Sequence, residues 1–171
     1  MFRKATISLR PETAGDLDFL RDLYLSVRDD DPGFRDLPPA ERTQLLEHQF
    51  GIQHRQYREH FPGAWFTLVL VDEKPGGRLY VTRQADGFRV IDLSLLPEFR
   101  GHGIGTQLMK NIQAEATRTQ LPIRLQVVVD NPARRFYARL GFRETGQTDV
   151  RCQLEWRPPR PPGRSGAFQA P

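Results

Sequence analysis

The stretch FRVIDLSLLPEFRGHGIGTQLMKNIQAEA, from Phe88 to Ala116, decides the fold of this chain. Its first part, from Val90 to Leu96, is rich in β-branched residues and leucine, which predicts a strand buried on both faces. Pro97 ends that strand, because proline has no N–H group to donate to a ladder. After a glycine-rich turn, apolar residues recur at a spacing that predicts one face of a helix. These residues are Ile104, Leu108, Ile112 and Ala116.

The glycine-rich turn, RGHGIG at residues 100–105, has the composition of an anion-binding site. The first turn of a helix has backbone N–H groups without partners, and its dipole favours negative charge. Glycines let the backbone approach a phosphate closely, and Arg100 adds a fixed positive charge with several donors. The alternative is a tight strand-to-helix turn without a ligand. Three alternating glycines would weaken such a helix start for no packing gain, which favours the ligand.

Two common phosphate-binding motifs do not match this turn. A Walker loop ends in Gly-Lys-Ser/Thr, whereas Gly105 is followed by Thr106 and Gln107. A dinucleotide-binding fingerprint has two residues between its second and third glycines, whereas the glycines here alternate with single residues. The turn therefore belongs to neither class.

Length and composition predict one globular domain followed by a tail. The 171 residues are enough for one core, and we expect a domain over residues 1–156. Residues 157–171 are rich in proline and arginine and predict a disordered tail. Subtracting the three arginines of this tail from the net charge of +4 leaves +1 for the domain. No basic cluster lies on one element, so we expect no nucleic-acid partner.

The cysteine count and the hydropathy pattern indicate the compartment. Cys152 is the sole cysteine, so no intramolecular disulfide is possible and a reducing environment is expected. The chain starts without an apolar signal region, and no run approaches the roughly 20 apolar residues of a membrane span. We expect a cytoplasmic protein that does not bind a membrane.

Ahead of the central stretch, the pattern predicts a strand, two helices and a hairpin. The strand covers residues 5–9, the helices about 14–28 and 38–61, and the hairpin strands 65–71 and 77–82. The run Glu73-Lys74-Pro75-Gly76-Gly77 predicts the hairpin turn. Three aspartates at 29–31 follow the first helix and are either a solvated loop or an acidic rim that attracts a cationic amine.

Polar residues on the inner stripe of the second helix predict a pocket wall. Gln53 falls among the apolar residues of the stripe, and a buried amide without partners costs ~1–3 kcal/mol. Gln53 therefore caps a backbone group or, together with His54 and Tyr57, lines an acceptor pocket. The three histidines at 48, 54 and 60 are six residues apart and cannot share one metal from a straight helix, so we expect no metal site.

Beyond the central helix, the sequence predicts a second apolar strand, a short helix and a closing antiparallel pair. The strands cover residues 123–129, 142–147 and 149–156. Asp130-Asn131-Pro132 is a strong helix start, with a capping side chain followed by proline. The short helix places Phe136 and Tyr137 inward, and Gly141 supplies a left-handed cap.

The stretch Gln49-Phe50…Gln53-His54…Tyr57 resembles small bacterial proteins of the GNAT superfamily of acyl-CoA-dependent N-acyltransferases that have no settled substrate. Two further motifs together resemble the signatures of this superfamily. The first is Arg-x-x-Gly-x-Gly after a strand ending in Leu-Leu-Pro, and the second is Asn131 followed by Tyr137-x-x-x-Gly-Phe. The resemblance implies an α/β (α+β) fold with a mixed, mostly antiparallel sheet of six or seven strands and about four helices. It also implies that the strands at about 89–96 and 123–129 splay apart to admit the pantetheine arm.

The resemblance also implies the cofactor contacts. Main-chain groups of Leu93 and Leu95 would bind pantetheine and the acyl carbonyl, and Asn131 would reach the cofactor. Because relatives often have one more residue between this asparagine and the tyrosine, Asp130 is the alternative, and Asn131 could act only as a helix cap. The pyrophosphate would lie on Arg100 and on the backbone of the residues that follow it. These are Gly101, His102, Gly103, Ile104, Gly105 and Thr106.

For catalysis, the resemblance assigns Tyr137 as the general acid toward the leaving thiolate, the alternative being a core aromatic. The strand at 123–129 has none of the acidic or histidine residues that some relatives use as a base. Asp92 is the nearest titratable group, either catalytic or paired with an arginine. The expected reaction transfers acetyl from the co-substrate acetyl-CoA to a primary amine of a small molecule or peptide by direct attack.

The missing base predicts the kind of acceptor. A lysine-like amine near pKa 10.4 costs ~4.6 kcal/mol to deprotonate at pH 7, whereas an α-amine near 7.8 costs ~1 kcal/mol. We therefore expect preference for an α-amine or another weakly basic amine. The alternative function is a domain that senses acyl-CoA without turnover. Either a monomer or a homodimer is compatible with the sequence.

Overall fold

A seven-stranded sheet runs through the structure, a computed structural model that describes residues 5–28, 32–34 and 36–160. Its order is β1-β2-β3-β4-β5-β7-β6. The strands are β1 Ile7–Pro11, β2 Trp65–Val71, β3 Lys74–Gln84, β4 Gly87–Leu95, β5 Ile123–Val128, β6 Arg143–Gln147 and β7 Arg151–Trp156. The α-helices of the described residues are α1 Leu17–Arg28, α2 Pro39–His60, α3 Ile104–Thr119 and α4 Ala133–Arg139. The sequence-based prediction of a mixed, mostly antiparallel sheet with about four helices is confirmed.

One pair of strands breaks the antiparallel pattern. All neighbours in the sheet are antiparallel except β4 and β5, which run parallel. A parallel pair needs a crossover connection, and α3 supplies it. The predicted strand–turn–helix unit is therefore the crossover of the sheet.

The helices cover both faces of the sheet. Along β2, Leu68 packs with residues of α1 and α2, whereas its neighbour Val69 packs with the cluster of α3. Because successive side chains of a strand point to opposite faces, these two clusters lie on opposite sides of the sheet. The α3 cluster contains all four apolar residues that the helical spacing singled out.

The parallel pair β4–β5 separates after a short ladder. Only three residue pairs join these strands, beginning at Phe88 with Ile123 and ending at Val90 with Leu125. β4 nevertheless continues to Leu95 and β5 to Val128. The backbone beyond the ladder therefore borders an open gap, which confirms the predicted splay of the two strands.

An irregularity in β4 lies where this gap opens. Tyr80 of β3 pairs with Asp92, but the next residue of β3 pairs with Val90, so Ile91 is an extra residue in β4. Such a bulge bends a strand and changes which face its side chains meet. Ile91 and Asp92 both lie toward α2: Ile91 lines a cleft there, and Asp92 bonds to Tyr57.

The hairpin between β2 and β3 turns earlier than predicted. Its two turn residues are Asp72 and Glu73, both with positive φ, as a two-residue hairpin loop requires. The predicted turn at residues 73–77 is wrong, because Pro75 to Gly77 belong to β3 and pair with β2 across a bulge. Gly77 has no space for a side chain: a Cβ there would lie 2.3 Å from the Ser94 carbonyl oxygen.

The remaining boundaries differ little from the predicted ones. The first helix begins with a 3-10 turn, where the Asp16 carboxylate accepts hydrogen bonds from the N–H (2.7 Å) and hydroxyl (2.9 Å) of Thr13. The acidic run 29–31 and residues 161–171 of the predicted tail lie outside the described residues. Within the described part of the chain, no helix is long and apolar enough to cross a membrane.

Candidate functional site

The glycine-rich turn presents unpaired backbone donors at the start of α3. Gly101 and Gly103 have φ of +75° and +78°, a conformation that side chains rarely adopt. The N–H of Gln107 donates to the Gly103 carbonyl at 2.9 Å, so the N–H groups just before it precede the helical ladder. A Cβ on Gly101 or Gly103 would meet no described atom within 4 Å. Open space therefore lies beside the backbone at these two glycines.

Gly105 has a different role from the other two glycines. A Cβ at this position would lie 3.3 Å from the Phe136 ring. The absence of a side chain here lets the first turn of α3 lie close to α4. The three glycines thus combine backbone conformation with close helix packing.

Arg100 lies at the point where β4 ends and the turn begins. Its Nε donates to the Leu95 carbonyl at 2.9 Å, while the side chain remains exposed. This bond holds the guanidinium beside the donors of the turn. It also occupies the Leu95 carbonyl, one of the two main-chain positions predicted to contact the cofactor. The Leu93 backbone lies on the stretch of β4 that borders the gap.

Tyr137 of α4 lies on the α3 side of the gap. Its ring packs edge-on against Phe136 and Phe142, with centroids at 5.0 and 5.5 Å. Burial, with a contribution from the negative charge of Asp92, raises the pKa of Tyr137 above its usual value. The hydroxyl therefore stays protonated at neutral pH and is a hydrogen-bond donor.

Asn131 is exposed and caps the short helix α4. Its Oδ1 accepts the N–H of Ala133 at 2.8 Å. The capping role considered for this residue is therefore present in the structure, and its side-chain amide N–H groups can still reach a ligand. Asp130 is exposed beside it, and both residues line a second cleft of about 590 Å³.

On the α2 side of the gap, Asp92 is the acceptor of three hydrogen bonds. Its Oδ2 accepts from Arg78 Nη2 at 2.7 Å and from the Tyr57 hydroxyl at 3.1 Å. Its Oδ1 accepts from the Ser94 hydroxyl at 2.6 Å. The arginine pairing considered for Asp92 is thus realised.

Arg78 is the most deeply buried charge of this network. It is 2% exposed, and its Nη2 also donates to Gln53 Oε1 at 2.8 Å. The negative charge of Asp92 keeps the pKa of Arg78 raised in spite of burial, so the guanidinium is charged. Its Nε and Nη1 have no hydrogen-bond partner among the described residues.

A cleft of about 510 Å³ opens between α2, β4 and the β5–β7 pair. Gln53 and Tyr57 line it, as predicted for the acceptor pocket. Burial and the charge of Asp92 raise the pKa of Tyr57, so its hydroxyl is protonated and donates to Asp92. The cleft therefore lies on the α2 side of Asp92, whereas Tyr137 lies on the α3–α4 side.

His54, the third residue predicted for that pocket, is not among the residues that line the cleft. Its ring packs 5.4 Å from Phe50, and its Nδ1 accepts from Arg58 at 3.1 Å, since arginine can only donate. Burial and nearby positive charge lower the pKa of His54, so the ring is neutral at pH 7. Its Nδ1 lone pair is already used.

Comparisons with known proteins agree with this geometry. Residues 63–144, which contain the glycine-rich turn and the Asn131–Tyr137 segment, match the model of the acetyltransferase (GNAT) domain family. This match supports membership of the GNAT superfamily. This membership supports acyltransferase activity in general terms. A search of curated proteins finds no match.

Solved structures share the GNAT fold at low sequence identity. The PaiA N-acetyltransferase from Thermoplasma acidophilum in complex with coenzyme A has a TM-score of 0.67 and 17% identity, over 89% of this chain and 99% of that one. An acetyltransferase from Thermus thermophilus has a TM-score of 0.66 and 20% identity, over 91% and 99%. A histone acetyltransferase HPA2-related protein from Corynebacterium glutamicum has 0.62 and 21%, over 92% and 98%.

The GNAT site of this chain has the features that an acyl-CoA molecule needs. The open donors of the turn suit a pyrophosphate, and the gap between β4 and β5 suits an extended pantetheine chain. No three histidine, cysteine or acidic side chains within the described ranges lie close enough together to hold a metal ion. The Tyr137 hydroxyl and the Asp92 network lie on the two sides of this gap.

Sequence reasoning missed the buried part of that network. Besides Arg78, it missed a neighbouring buried cluster around Glu12, whose carboxylate accepts from the Tyr80 hydroxyl at 2.6 Å and from Arg58. The signal was present in β3, where Arg78, Tyr80 and Thr82 alternate with apolar residues. A polar face on a central strand requires buried partners. Those partners come from distant segments and could not be named from spacing.

Proposed function

We propose that this protein is an N-acetyltransferase that moves the acetyl group of acetyl-CoA to a primary amine by direct attack. The observation that carries the proposal is that two separate sets of residues border the same gap from opposite sides. The anion-binding turn and Tyr137 lie on the α3–α4 side, and the polar cleft of α2 opens on the other. The acyl donor and the amine acceptor can therefore enter the gap between β4 and β5 from opposite sides.

In this proposal, backbone groups bind most of the cofactor. N–H groups of residues 101–106 and the Arg100 guanidinium hold the pyrophosphate, and main-chain groups of Leu93 align the thioester in the gap. Asn131 contributes its side-chain N–H groups at the mouth of the gap. The acetyl carbon is thereby presented toward the cleft of α2.

In the transfer step, the amine nitrogen forms a bond to the acetyl carbon and the C–S bond breaks. The Tyr137 hydroxyl donates a hydrogen bond to the leaving sulfur. Full proton transfer from tyrosine to a thiolate near pKa 8.5 is uphill by ~2 kcal/mol at ordinary pKa values, so a hydrogen bond is the main contribution. The proton released by the amine passes to solvent through the cleft.

The acceptor arrives as a neutral amine. No aspartate, glutamate or histidine is among the described residues that line the cleft. Asp92 already accepts three hydrogen bonds, and His54 Nδ1 accepts one from Arg58. Tyr57 and Asp92 orient the nitrogen and do not deprotonate it. We therefore propose preference for an α-amine or a similarly weakly basic amine over a lysine side chain.

The test is thiol release from acetyl-CoA with matched acceptors, one carrying an α-amine and the other an ε-amine, between about pH 6 and 9. Cys152 is the only cysteine of the chain and is 0% exposed, so the protein adds little background to a thiol reagent. We expect the α-amine to react faster at pH 7 and the pH inflection to follow the acceptor's own pKa. A faster ε-amine at pH 7 would show that a base exists.

The second candidate is an acyl-CoA sensor without turnover, which the engaged state of Asp92 favours. Calorimetric titration with acetyl-CoA separates the two candidates when combined with thiol release. Binding without release by any amine of the panel supports the sensor. Absence of binding rejects both.

A further inference from the structure

The cleft of α2 carries positive charge that no described residue neutralises. Its lining includes Arg89 of β4 and Arg151 of β7, and it includes no aspartate or glutamate among the described residues. Neither arginine forms an ion pair with a carboxylate in the described part of the chain. Both side chains are exposed and keep their donors free for a ligand.

Several other strand arginines of this sheet form ion pairs, whereas Arg143 of β6 forms none among the described residues. Arg78 is paired with Asp92 at 2.7 Å, Arg83 with Glu115 at 2.7 Å, and Arg124 with Glu155 at 2.9 Å. Each of these three charges is therefore balanced by a carboxylate. The two arginines of the cleft lack this compensation, although they lie on the same sheet.

The two arginines reach the cleft from different walls. The Arg89 guanidinium carbon lies 6.0 Å from the centroid of the Phe61 ring, at the end of α2. Arg151 lies close enough to Tyr57 for its charge to oppose the rise in the tyrosine pKa. Between β4 and β7 lies β5, whose Gln126 also lines the cleft.

The other polar groups of the cleft carry no charge. Besides Gln53 and Gln126, glutamines at 49 and 56 line it. The negative charge of Asp92 is already balanced by Arg78. A cationic group entering this space would meet two positive charges and no described acid, whereas an anionic group would gain two donors with fork geometry.

We infer that the acceptor amine carries an anionic group, a carboxylate or a phosphate, bound by Arg89 and Arg151 while the amine reaches Tyr57. The inference rests on the proposed acetyl transfer and names the substrate class of the same site. A cleft of about 510 Å³ accommodates a small molecule or the first residues of a peptide. An α-amine that carries an acidic group complements the positive charge of the cleft. Its amine is also weakly basic, so it does not need a protein base.

The experiment compares acceptors that differ only in charge. Glutamyl-alanine amide and glutaminyl-alanine amide have α-amines of similar pKa and nearly equal shape, and lysyl-alanine amide supplies the cationic arm. Phosphoseryl- and seryl-alanine amides distinguish phosphate from carboxylate. We expect kcat/KM for the anionic member to be about five- to tenfold higher, as for a charge-assisted contact. The ratio should fall as salt is raised, because the contact is open to solvent.

Charge-neutral variants identify the residues responsible. In Arg89→Gln and Arg151→Gln, the ratio of glutamyl to glutaminyl kcat/KM should fall toward one, because the glutamyl value loses more than the glutaminyl value. Arg118→Gln is the control, since this exposed arginine lies on α3 and does not line the cleft. It should leave the ratio unchanged.

The outcomes separate this inference from the proposed function. Equal rates for glutamyl and glutaminyl acceptors, or preference for the lysyl acceptor, overturn the inference and leave acetyl transfer standing. The second result would fit an acidic rim at residues 29–31. If no acceptor releases thiol, acetyl transfer fails instead. Calorimetry with N-acetylglutamyl- and N-acetylglutaminyl-alanine amide then tests the charge preference alone: tighter binding of the acid, lost in Arg151→Gln, supports it, and equal binding overturns it.

Discussion

The two faces of the β4–β5 gap are built by different means. On the α3–α4 face, the polar groups aimed at a ligand are mostly main-chain donors of one continuous turn, residues 101–106. On the α2 face, they are side chains joined in a network: Asp92 is bonded to Arg78, Tyr57 and Ser94. The first face is local in sequence, whereas the second draws on separate elements.

This difference matches what each face has to recognise. A pyrophosphate is bound by backbone geometry, which tolerates changes of side chain provided that the glycines remain. An acceptor is distinguished by side chains, and these can change without altering the fold. We therefore propose that the glycine-rich turn forms the cofactor side of this protein and that the cleft arginines mark its acceptor side.

The largest expected effect comes from Arg78, which belongs to the α2 face alone. Arg78→Met leaves the Asp92 carboxylate without its cation, so the free energy of unfolding should fall by about 3–5 kcal/mol. The double variant Arg78→Met/Asp92→Leu removes both charges and should recover most of that loss. Urea denaturation measures both values.

The control for this prediction is Arg83→Met, which removes one partner of the more exposed Arg83–Glu115 pair. It should cost about 1 kcal/mol or less. A double variant as unstable as Arg78→Met would contradict the proposed cost of the unpaired carboxylate. Acetyl-CoA affinity should change little in every case, because the other face binds it.

Tyr137→Phe tests the chemistry of the α3–α4 face. Removing the hydroxyl should lower kcat about 10- to 100-fold, because the leaving sulfur loses its donor. Acetyl-CoA affinity should stay within a few-fold, since the ring remains in place. Tyr80→Phe is the matched control, because it removes a hydroxyl that bonds to Glu12 outside the gap. Unchanged kcat with chemistry rate-limiting would make Tyr137 a core aromatic.

Gly103→Ala tests whether the cofactor face depends on backbone conformation. Its φ of +78° costs a side chain about 1 kcal/mol, and the new Cβ enters the open space assigned to phosphate. We expect acetyl-CoA affinity to fall about tenfold, measured by calorimetry. Gly51→Ala is the control: this glycine of α2 also has no described atom near its Cβ position, but its φ is not positive. A folded Gly103→Ala variant with parental affinity would place the cofactor elsewhere.

The smallest effect is expected outside both faces. Deleting residues 157–171 removes a segment rich in proline and arginine, together with the exposed Arg157–Glu155 pair. Such a pair contributes little, so Tm should change by no more than about 2 °C. A loss of several degrees in a thermal melt would show that the tail packs on the domain.

The sequence by itself determined the strand, turn and helix around the cofactor, and it also indicated α4. Each depends on residues close together in the chain: glycines at positive φ, an apolar stripe at helical spacing, and a capping Asn131 before proline. The hairpin turn was misplaced for the same reason. Pro75 and the two glycines after it have turn composition, but pairing with β2 and the close approach of β4 made them part of a strand.

Only the tertiary structure decided the α2 face, which we propose receives the acceptor. Tyr57 is 35 residues from Asp92 along the chain, and Arg78 is 14 residues from it. Their meeting depends on the register of β3 with β4 and on the bulge at Ile91, neither of which is encoded in a local pattern. Likewise, only the structure shows that the two cleft arginines lack an ion pair, because pairing depends on which carboxylates pack nearby.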